Sequence, residues 1–231
     1  MLGWRRSDWL GGLIRTLVVS CLLFSCSDES KEALIELPVA QHNSWSVSGL
    51  RLHVSSLDDP GQFSVNNRKI EGISAVVKEL SSKPEKHSRV SFTLPATFRA
   101  RDYIEMVTQF RIESGREVGS AIFCRRLKGD EEIIGHFLPP LFIAAEDSHP
   151  RYVLDEHTPR LKIGMERFEW DGKIRRSLSA VNDKLKLTLE VASLTDSQPI
   201  VLLTVENDVD MQRLIETFDF DDASSLVMYV E

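Results

Sequence analysis

Histidine and carboxylate side chains are concentrated between residues 125 and 159, where they could bind a metal ion or transfer protons. The candidates in this segment are His136, Glu146, Asp147, His149, Asp155, Glu156 and His157. Their spacing matches neither a closed zinc pattern nor the His-Glu-x-x-His helix of metalloproteases. We therefore interpret the group as part of a polar loop and predict no metal ligand.

A second set of candidates consists of acidic residues near the C-terminus. They are Glu206, Asp208, Asp210, Asp219, Asp221 and Asp222. These residues lack the Asp-x-Asp-x-Asp-Gly order of a calcium loop, so we predict turns, with Asp208 or Asp210 capping a helix. The sequence has no Gly-x-Ser-x-Gly nucleophile motif and no glycine-rich phosphate loop. It predicts no catalytic residue, no cofactor and no enzymatic activity.

Cys26 is the residue for which the sequence predicts a modification. Arg5, Arg6 and Arg15 precede an apolar run of about eight residues from Leu17 to Phe24. That length suits a secretory signal peptide and falls short of the roughly 20 residues of a membrane span. The run ends in Leu-Phe-Ser-Cys, which resembles a bacterial lipobox, although the phenylalanine is bulkier than the pattern prefers. The sequence predicts a signal peptide over residues 1–25 and lipid attachment at Cys26.

Two alternatives to this processing remain open. Val18-Val19-Ser20-Cys21 fits the local pattern better, but it leaves almost no apolar region after Arg15. The second alternative is that the segment from Trp9 to Cys26, interrupted by Arg15, is not cleaved and anchors the protein in the membrane. If cleavage occurs at Cys26, Cys124 is the remaining thiol, and it is predicted to be a small buried hydrophobe at the end of a strand. The predicted location is the periplasmic side of a bacterial membrane, inner or outer.

The charge balance limits the classes of partner. The chain has 231 residues, 42% of them hydrophobic and 27% charged, which is typical of a globular protein. The net charge is −7, and the first 25 residues are basic, so the remainder is more acidic still. The acidic part of the chain after residue 25 is not expected to bind nucleic acid, whose phosphates need a basic face, or to adhere to anionic lipid.

Hydrophobic periodicity predicts a first α+β unit over residues 50–124, after a tether and lead-in over residues 26–49. The predicted order is a hairpin, a helix, a strand, a second helix and a closing strand. The hairpin is predicted from alternation at Leu50–Val54 and Phe63–Val65, followed by a tight Asn66-Asn67 turn. Ile73, Val76, Val77 and Leu80 are spaced as one face of the first helix, and residues 100–113 form the second.

A weaker copy of this order is predicted over residues 160–231, after a linker over residues 125–159. Phe168 to Gly172 repeats the hairpin pattern of Phe63 to Asn67. Residues 178–193 are predicted to be a helix, although strict alternation from Lys184 to Val191 keeps a strand as a competitor. The predicted apolar face of this helix consists of Leu178, Val181, Leu185, Leu189 and Ala192. Phe137 to Ile143 is too apolar for a free linker, and it resembles the lead-in at Leu37-Pro38. The predicted architecture is two tandem small mixed-sheet domains, each with two helices on one face.

The first unit resembles the periplasmic domain of the ExbD/TolR biopolymer-transport family. The matching features are the Leu37-Pro38 lead-in, the hairpin at residues 50–67, the Ile73–Leu80 helix, the Arg89–Leu94 strand and Tyr103–Val107 leading to Gly115. The second unit resembles the same order of elements, but its match to the family is weaker than that of the first unit. The resemblance implies dimerisation and contact with envelope transport proteins or peptidoglycan, and two copies in one chain could form an intramolecular version of that dimer. A homodimer is the other option.

One departure from the family concerns proton transfer. Family members usually carry an aspartate in their transmembrane helix, whereas Leu17 to Phe24 holds no carboxylate. We therefore expect a non-enzymatic envelope lipoprotein that binds or scaffolds partners. An accessory subunit of a proton-driven transport complex, held by an uncleaved N-terminal helix, is one alternative. A small-ligand binder or enzyme, with a deep pocket between the domains, is the other.

Overall fold

A computed structural model describes a large part of the body of the chain. The described residues are 35–42, 44–45, 52–56, 61–82, 89–114, 119–127, 132–144 and 154–231. Cys26, Cys21 and the predicted signal peptide lie outside these ranges. Among the described residues, no helix is long and apolar enough to cross a membrane. Residues 35–231 form one compact unit.

The first of two mixed sheets has eight described strands and carries two helices. Its strands are β1 (Val39–Ala40), β2 (Ser44–Trp45), β3 (Leu52–Ser56), β4 (Gln62–Val65), β5 (Arg68–Glu71), β6 (Arg89–Thr93), β7 (Gly119–Arg126) and β8 (Ile133–Leu138). Their spatial order is β2-β8-β7-β6-β3-β4-β5, and β1 pairs with β7. The helices are α1 (Ile73–Ser81) and α2 (Ala100–Ser114).

The second sheet has six described strands and two further helices. Its strands are β9 (Leu141–Ile143), β10 (Arg160–Ile163), β11 (Phe168–Trp170), β12 (Lys173–Arg175), β13 (Ile200–Val205) and β14 (Val227–Val230), in the order β12-β11-β10-β13-β14-β9. The helices are α3 (Leu178–Thr195) and α4 (Met211–Thr217), and a 3₁₀ turn covers Ala223–Ser225. The predicted α+β class with two sheet-based units is confirmed.

Residues 178–195, for which the sequence left helix and strand as competitors, form helix α3. Val181, Leu185 and Ala192 are buried on one side of it, as the helical spacing predicted. Ser177 caps its N-terminus by accepting a hydrogen bond from the Ala180 amide at 3.1 Å. Asp196 ends it in the left-handed conformation. The competing strand is wrong because these caps and the buried helical face outweigh the local alternation.

The two sheets have the same internal topology. In the first, β3, β6 and β7 are parallel neighbours, and β4 and β5 continue antiparallel from β3. In the second, β10, β13 and β14 are parallel neighbours, and β11 and β12 continue from β10 in the same way. The helices occupy matching places in the chain. We call these two copies the first and second repeat.

The predicted linker over residues 125–159 must be corrected, because it supplies a strand to each sheet. Strand β8 pairs with β7 of the first repeat, and β9 pairs with β14 of the second. Between these strands stand Pro139 and Pro140, which cannot donate to a ladder and so suit the crossing from one sheet to the other. The apolar run from Phe137 to Ile143 is therefore shared between the two sheets.

Each repeat begins with a proline followed by a short parallel strand beside its own last strand. The Arg125 amide donates to the carbonyl of Pro38 at 2.8 Å, and the Met228 amide donates to that of Pro140 at 3.0 Å. Strands β1 and β9 follow these prolines directly. The two lead-ins nevertheless occupy different places in the fold, because β1 lies on the same side of β7 as β6, whereas β9 lies on the side of β14 away from β13. The second repeat begins earlier than residue 160.

The repeats join through a reciprocal pair of backbone hydrogen bonds. The Ala100 amide donates to the Val209 carbonyl at 2.9 Å, and the Met211 amide donates to the Phe98 carbonyl at 2.7 Å. Ala100 and Met211 are each the first residue of their repeat's second helix, so the two bonds are related by an approximate twofold axis. One apolar cluster then runs through both repeats and includes Phe63 and Phe168. The expected separation into two domains does not extend to the core.

Both hairpins turn through two residues with positive φ. These are Asn66 (φ 47°) and Asn67 (φ 69°) in the first repeat, and Asp171 (φ 49°) and Gly172 (φ 73°) in the second. Such a pair is typical of the type I′ turn, whose twist matches that of its strands. The Asn-Asn and Asp-Gly sequences are therefore what fixes the register of each hairpin.

Replacing Gly172 with valine is expected to destabilise the fold by about 1–2 kcal/mol, because a β-branched residue is strained at this φ. An added Cβ would meet no atom within 4 Å, so the cost comes from the backbone and not from a clash. Urea denaturation measures it. Asn67→Gly is the matched control and should leave stability unchanged or slightly raised. Equal stability of Gly172→Val and the wild type would contradict the turn assignment.

Candidate functional site

A groove of about 460 Å³ lies along one side of α3 in the second repeat. Lys184, Leu187 and Val191 line it from the helix, while Trp170 and Ile200 line it from the sheet. The three helical residues are spaced by three and four, which places them on one side of α3. Within the described part of the chain, no carboxylate forms an ion pair with Lys184. The groove therefore combines apolar lining and Lys184 with polar side chains, among which are Asp155, Thr188 and Gln198.

Three large apolar side chains are exposed on the same helix. Leu187 is 47% exposed, Val191 50% and Leu194 87%. Their spacing of four and then three residues makes them a continuous row, here called the α3 stripe. Single exposed leucines are ordinary on protein surfaces, but a row beside a groove is typical of a binding surface. The sequence prediction missed the α3 stripe because the helical spacing identified only the buried face of α3.

A polar junction connects the start of the first repeat to the second. Asp219, which follows α4, accepts the backbone amide of Gln41 at 2.8 Å and that of His42 at 2.6 Å. Gln212 of α4 accepts the Val39 amide at 2.7 Å and donates to the Val39 carbonyl at 3.2 Å. We call residues 39–42 the lead-in segment. Its backbone is held by side chains from the other end of the sequence.

His136 of β8 lies beneath this junction and is fully buried. Its Nδ1 is 3.2 Å from the carbonyl of His42 and 4.0 Å from Oδ1 of Asp219. Its Nε2 is buried and has no hydrogen-bond partner among the described residues. Burial lowers the pKa of His136, and the nearby Asp219 charge and the bond to His42 oppose that shift only in part. The geometry therefore holds a neutral imidazole.

His53 is half-buried on the sheet face that points away from the helices. Its Nδ1 is 2.8 Å from the hydroxyl of Ser91, and its Nε2 is 3.1 Å from that of Ser55 and 3.2 Å from that of Thr93. Burial lowers the pKa of His53. Ser91 is only 3% exposed, and no carboxylate is among these partners. Its neighbours in the described strands bury Ser91, and these hydrogen bonds join β3 to β6, so we assign the cluster to strand cross-linking.

The histidines and carboxylates between residues 125 and 159 do not form a site in the described part of the chain. His136 is buried in β8, whereas Asp155, Glu156 and His157 are exposed in a turn. Glu146, Asp147 and His149 lie outside the described residues. Among the residues that are described, no three His, Cys, Asp or Glu side chains are placed to hold a metal ion.

The C-terminal acidic residues have separate structural roles. Asp210 caps α4 by accepting the Arg213 amide at 2.8 Å, which decides between the two predicted caps. Glu206 pairs with Lys162 at 2.9 Å, and that hydrogen bond lowers the pKa of the carboxyl group. Asp219 was predicted only as a turn residue. Its role at the junction could not be predicted because its partners, Gln41 and His42, are distant in sequence.

Cys124 is buried, as its place in an apolar strand predicted. Burial raises the pKa of its thiol, and the negative charge of Asp219 adds to the effect. The protonated thiol is a poor nucleophile and a poor metal ligand.

Comparison with known proteins identifies no relative. No family model, no curated protein and no solved structure matches the chain. The resemblance to the ExbD/TolR family therefore stays a prediction.

Proposed function

We propose that this protein is a non-enzymatic lipoprotein of the bacterial envelope that binds or scaffolds envelope transport proteins or the cell wall. Its two repeats follow the order of elements on which the ExbD/TolR resemblance rests. They meet through the reciprocal bonds at Ala100 and Met211, as two subunits of a symmetric dimer would. The chain thus supplies within itself the contact for which a single-repeat protein would need a second copy.

The observation that carries a binding function is the α3 stripe together with the adjoining groove. Burying a leucine or valine side chain against a partner contributes about 1.5–3 kcal/mol, so even part of the stripe would make a useful contact. Lys184, beside the apolar row, favours a partner surface that carries a carboxylate. Binding is the class of function that such a surface serves without any catalytic group.

Leu194→Asp and Leu187→Asp are each expected to weaken partner binding by about tenfold or more, since each removes an apolar contact and buries a charge. Two assays measure the effect in parallel: cosedimentation of the mature chain with purified peptidoglycan, and crosslinking to membrane proteins in the host envelope. The assay that responds to the stripe variants identifies the class of partner.

Ile112→Asp is the matched control, because Ile112 is 53% exposed on a different helix, α2. It should bind like the wild type in both assays. Equal binding by the stripe variants, the control and the wild type would contradict a role for α3. Absence of binding by the wild type in both assays would contradict the scaffolding function itself.

The groove also supports a second candidate, a small-ligand binder. Its volume of about 460 Å³ lies within the range of ligand pockets, and Trp170 offers an aromatic surface. The groove lies within the second repeat, whereas the sequence prediction placed such a pocket between the domains. Quenching of tryptophan fluorescence by amphipathic carboxylates, lost in Lys184→Met, would support this alternative.

A further inference from the structure

We propose that Asp219, His136 and His42 form an acid-sensitive latch that fastens the lead-in segment to the second repeat and opens when His136 is protonated. The proposal deepens the function proposed above, because the lead-in segment stands between the predicted lipid attachment at Cys26 and the folded body. Opening the latch would lengthen the tether and release the start of the first repeat from α4.

The closed latch depends on acceptors that the second repeat supplies to a very short strand. The lead-in segment contains only the two residues of β1 in regular structure. Its other anchors are the bonds from Asp219 to the amides of Gln41 and His42 and the two bonds between Gln212 and Val39. A segment with so few ladder bonds is held mainly by these side chains, so it can open with the loss of β1 while the other strands of both sheets stay folded.

The two ring nitrogens of His136 differ in their hydrogen bonding, and this difference makes the closed latch sensitive to pH. Nδ1 faces the His42 carbonyl at 3.2 Å and donates to it, which leaves Nε2 as the unprotonated nitrogen. Nε2 is buried and the described residues offer it no partner, so a proton added there would meet no acceptor among them while the latch stays closed. Moving the lead-in segment away would open the Nδ1 side of the ring, where His42 lies, and we infer that water entering there lowers this penalty.

Among the described residues, few ionisable groups face His136 from the elements around it. Asp219 lies 4.0 Å from Nδ1 and attracts the protonated ring, while His42, which is nearby, repels it when charged. Cys124 on β7 is a buried, protonated thiol. Neither β2, which pairs with β8, nor the 3₁₀ turn Ala223–Ser225 brings an ionisable side chain. Burial outweighs both the attraction by Asp219 and the hydrogen bond to His42, so the closed latch prefers neutral His136.

The direction of the pH effect follows from proton binding. The closed state binds fewer protons than the open state once pH falls below the ordinary histidine value of about 6.5. The open population should then rise by up to about tenfold per pH unit, until the depressed pKa of the closed state is reached. Above about pH 6.5 the population should be constant, because both states carry neutral His136.

Hydrogen–deuterium exchange of the full mature chain tests the latch at about pH 7.5 and about pH 5.5, the lower value lying above the ordinary range of carboxylates. After correction for intrinsic rates, peptides covering residues 38–42 should exchange several-fold faster at the lower pH. Peptides from β10 and β13 should keep their protection, which shows that only the latch has opened. Equal protection of residues 38–42 at both pH values would overturn the proposal.

Two variants assign the effect to His136. His136→Asn keeps a donor near the Nδ1 position but cannot titrate, so exchange of the lead-in segment should become independent of pH. His157→Asn, which changes a histidine 83% exposed, should keep the wild-type dependence. Persistence of the pH effect in His136→Asn would also overturn the latch. The exchange experiment needs no partner or lipid, so its outcome is separate from that of the proposed function.

Discussion

Cutting the chain between Pro139 and Pro140 is expected to give two fragments that melt without a cooperative transition alone and recover one when mixed. Separation would expose Val209 and Met211, which are fully buried in the whole chain. It would also leave the backbone groups of Phe98, Ala100, Val209 and Met211 without their reciprocal partners. Small sheets stripped of part of a shared core cannot offset the entropy of ordering their chains.

Circular dichroism melts of residues 35–139, of residues 140–231 and of their equimolar mixture measure this effect. Size-exclusion chromatography with light scattering should show a one-to-one complex at micromolar concentration. The uncut body, residues 35–231, is the control for complete folding. Two fragments that fold separately and stay apart when mixed would show that the repeats are independent domains, and the pseudo-dimer would be wrong.

Phe63→Ala and Phe168→Ala are each expected to lower the free energy of unfolding by about 3–5 kcal/mol. The two residues hold equivalent places at the start of β4 and β11 and are 1% and 0% exposed. Phe168 also has the Arg213 guanidinium 4.0 Å from its ring, which adds a cation–π contact that alanine removes. For a body of this size the cost corresponds to about 6–20 °C in Tm.

The pattern of melting matters more than the size of the shift. Because Phe63 and Phe168 belong to one apolar cluster, either substitution should lower a single transition shared by both repeats. Calorimetry measures this directly, and fluorescence of Trp170 reports on the second repeat. The exposed substitution Ile112→Ala is the control and should shift the transition little. A melt in which Phe63→Ala moves one transition and leaves another unchanged would contradict the shared core.

Local patterns in the sequence were sufficient to predict the elements of each repeat. The apolar spacing of Ile73, Val76, Val77 and Leu80 indicated α1, and that of Val181, Leu185 and Ala192 indicated α3. Positive-φ residue types at Asn66-Asn67 and Asp171-Gly172 placed both hairpins. These features depend on neighbours within a few residues, which is why sequence alone shows them.

Pairings between distant segments were not predictable in the same way. Strands β8 and β9 were predicted as part of a linker, because their strand character depends on partners in β7 and β14 that no local pattern identifies. The same applies to the junction, where Asp219 binds residues near the start of the body. The α3 stripe was visible as apolar residues at Leu187, Val191 and Leu194, but only the fold shows that no described element covers them.

Intact mass of the protein recovered from the membrane fraction of its native host, or of a bacterial host, is the most direct test of the proposed envelope function. The account predicts a lipid-modified chain that begins at Cys26. A lipid-modified chain beginning at Cys21 would keep the tether and move its attachment point. A full-length chain without lipid would contradict the lipoprotein, and it would favour an accessory subunit held in the membrane by its uncleaved N-terminal segment.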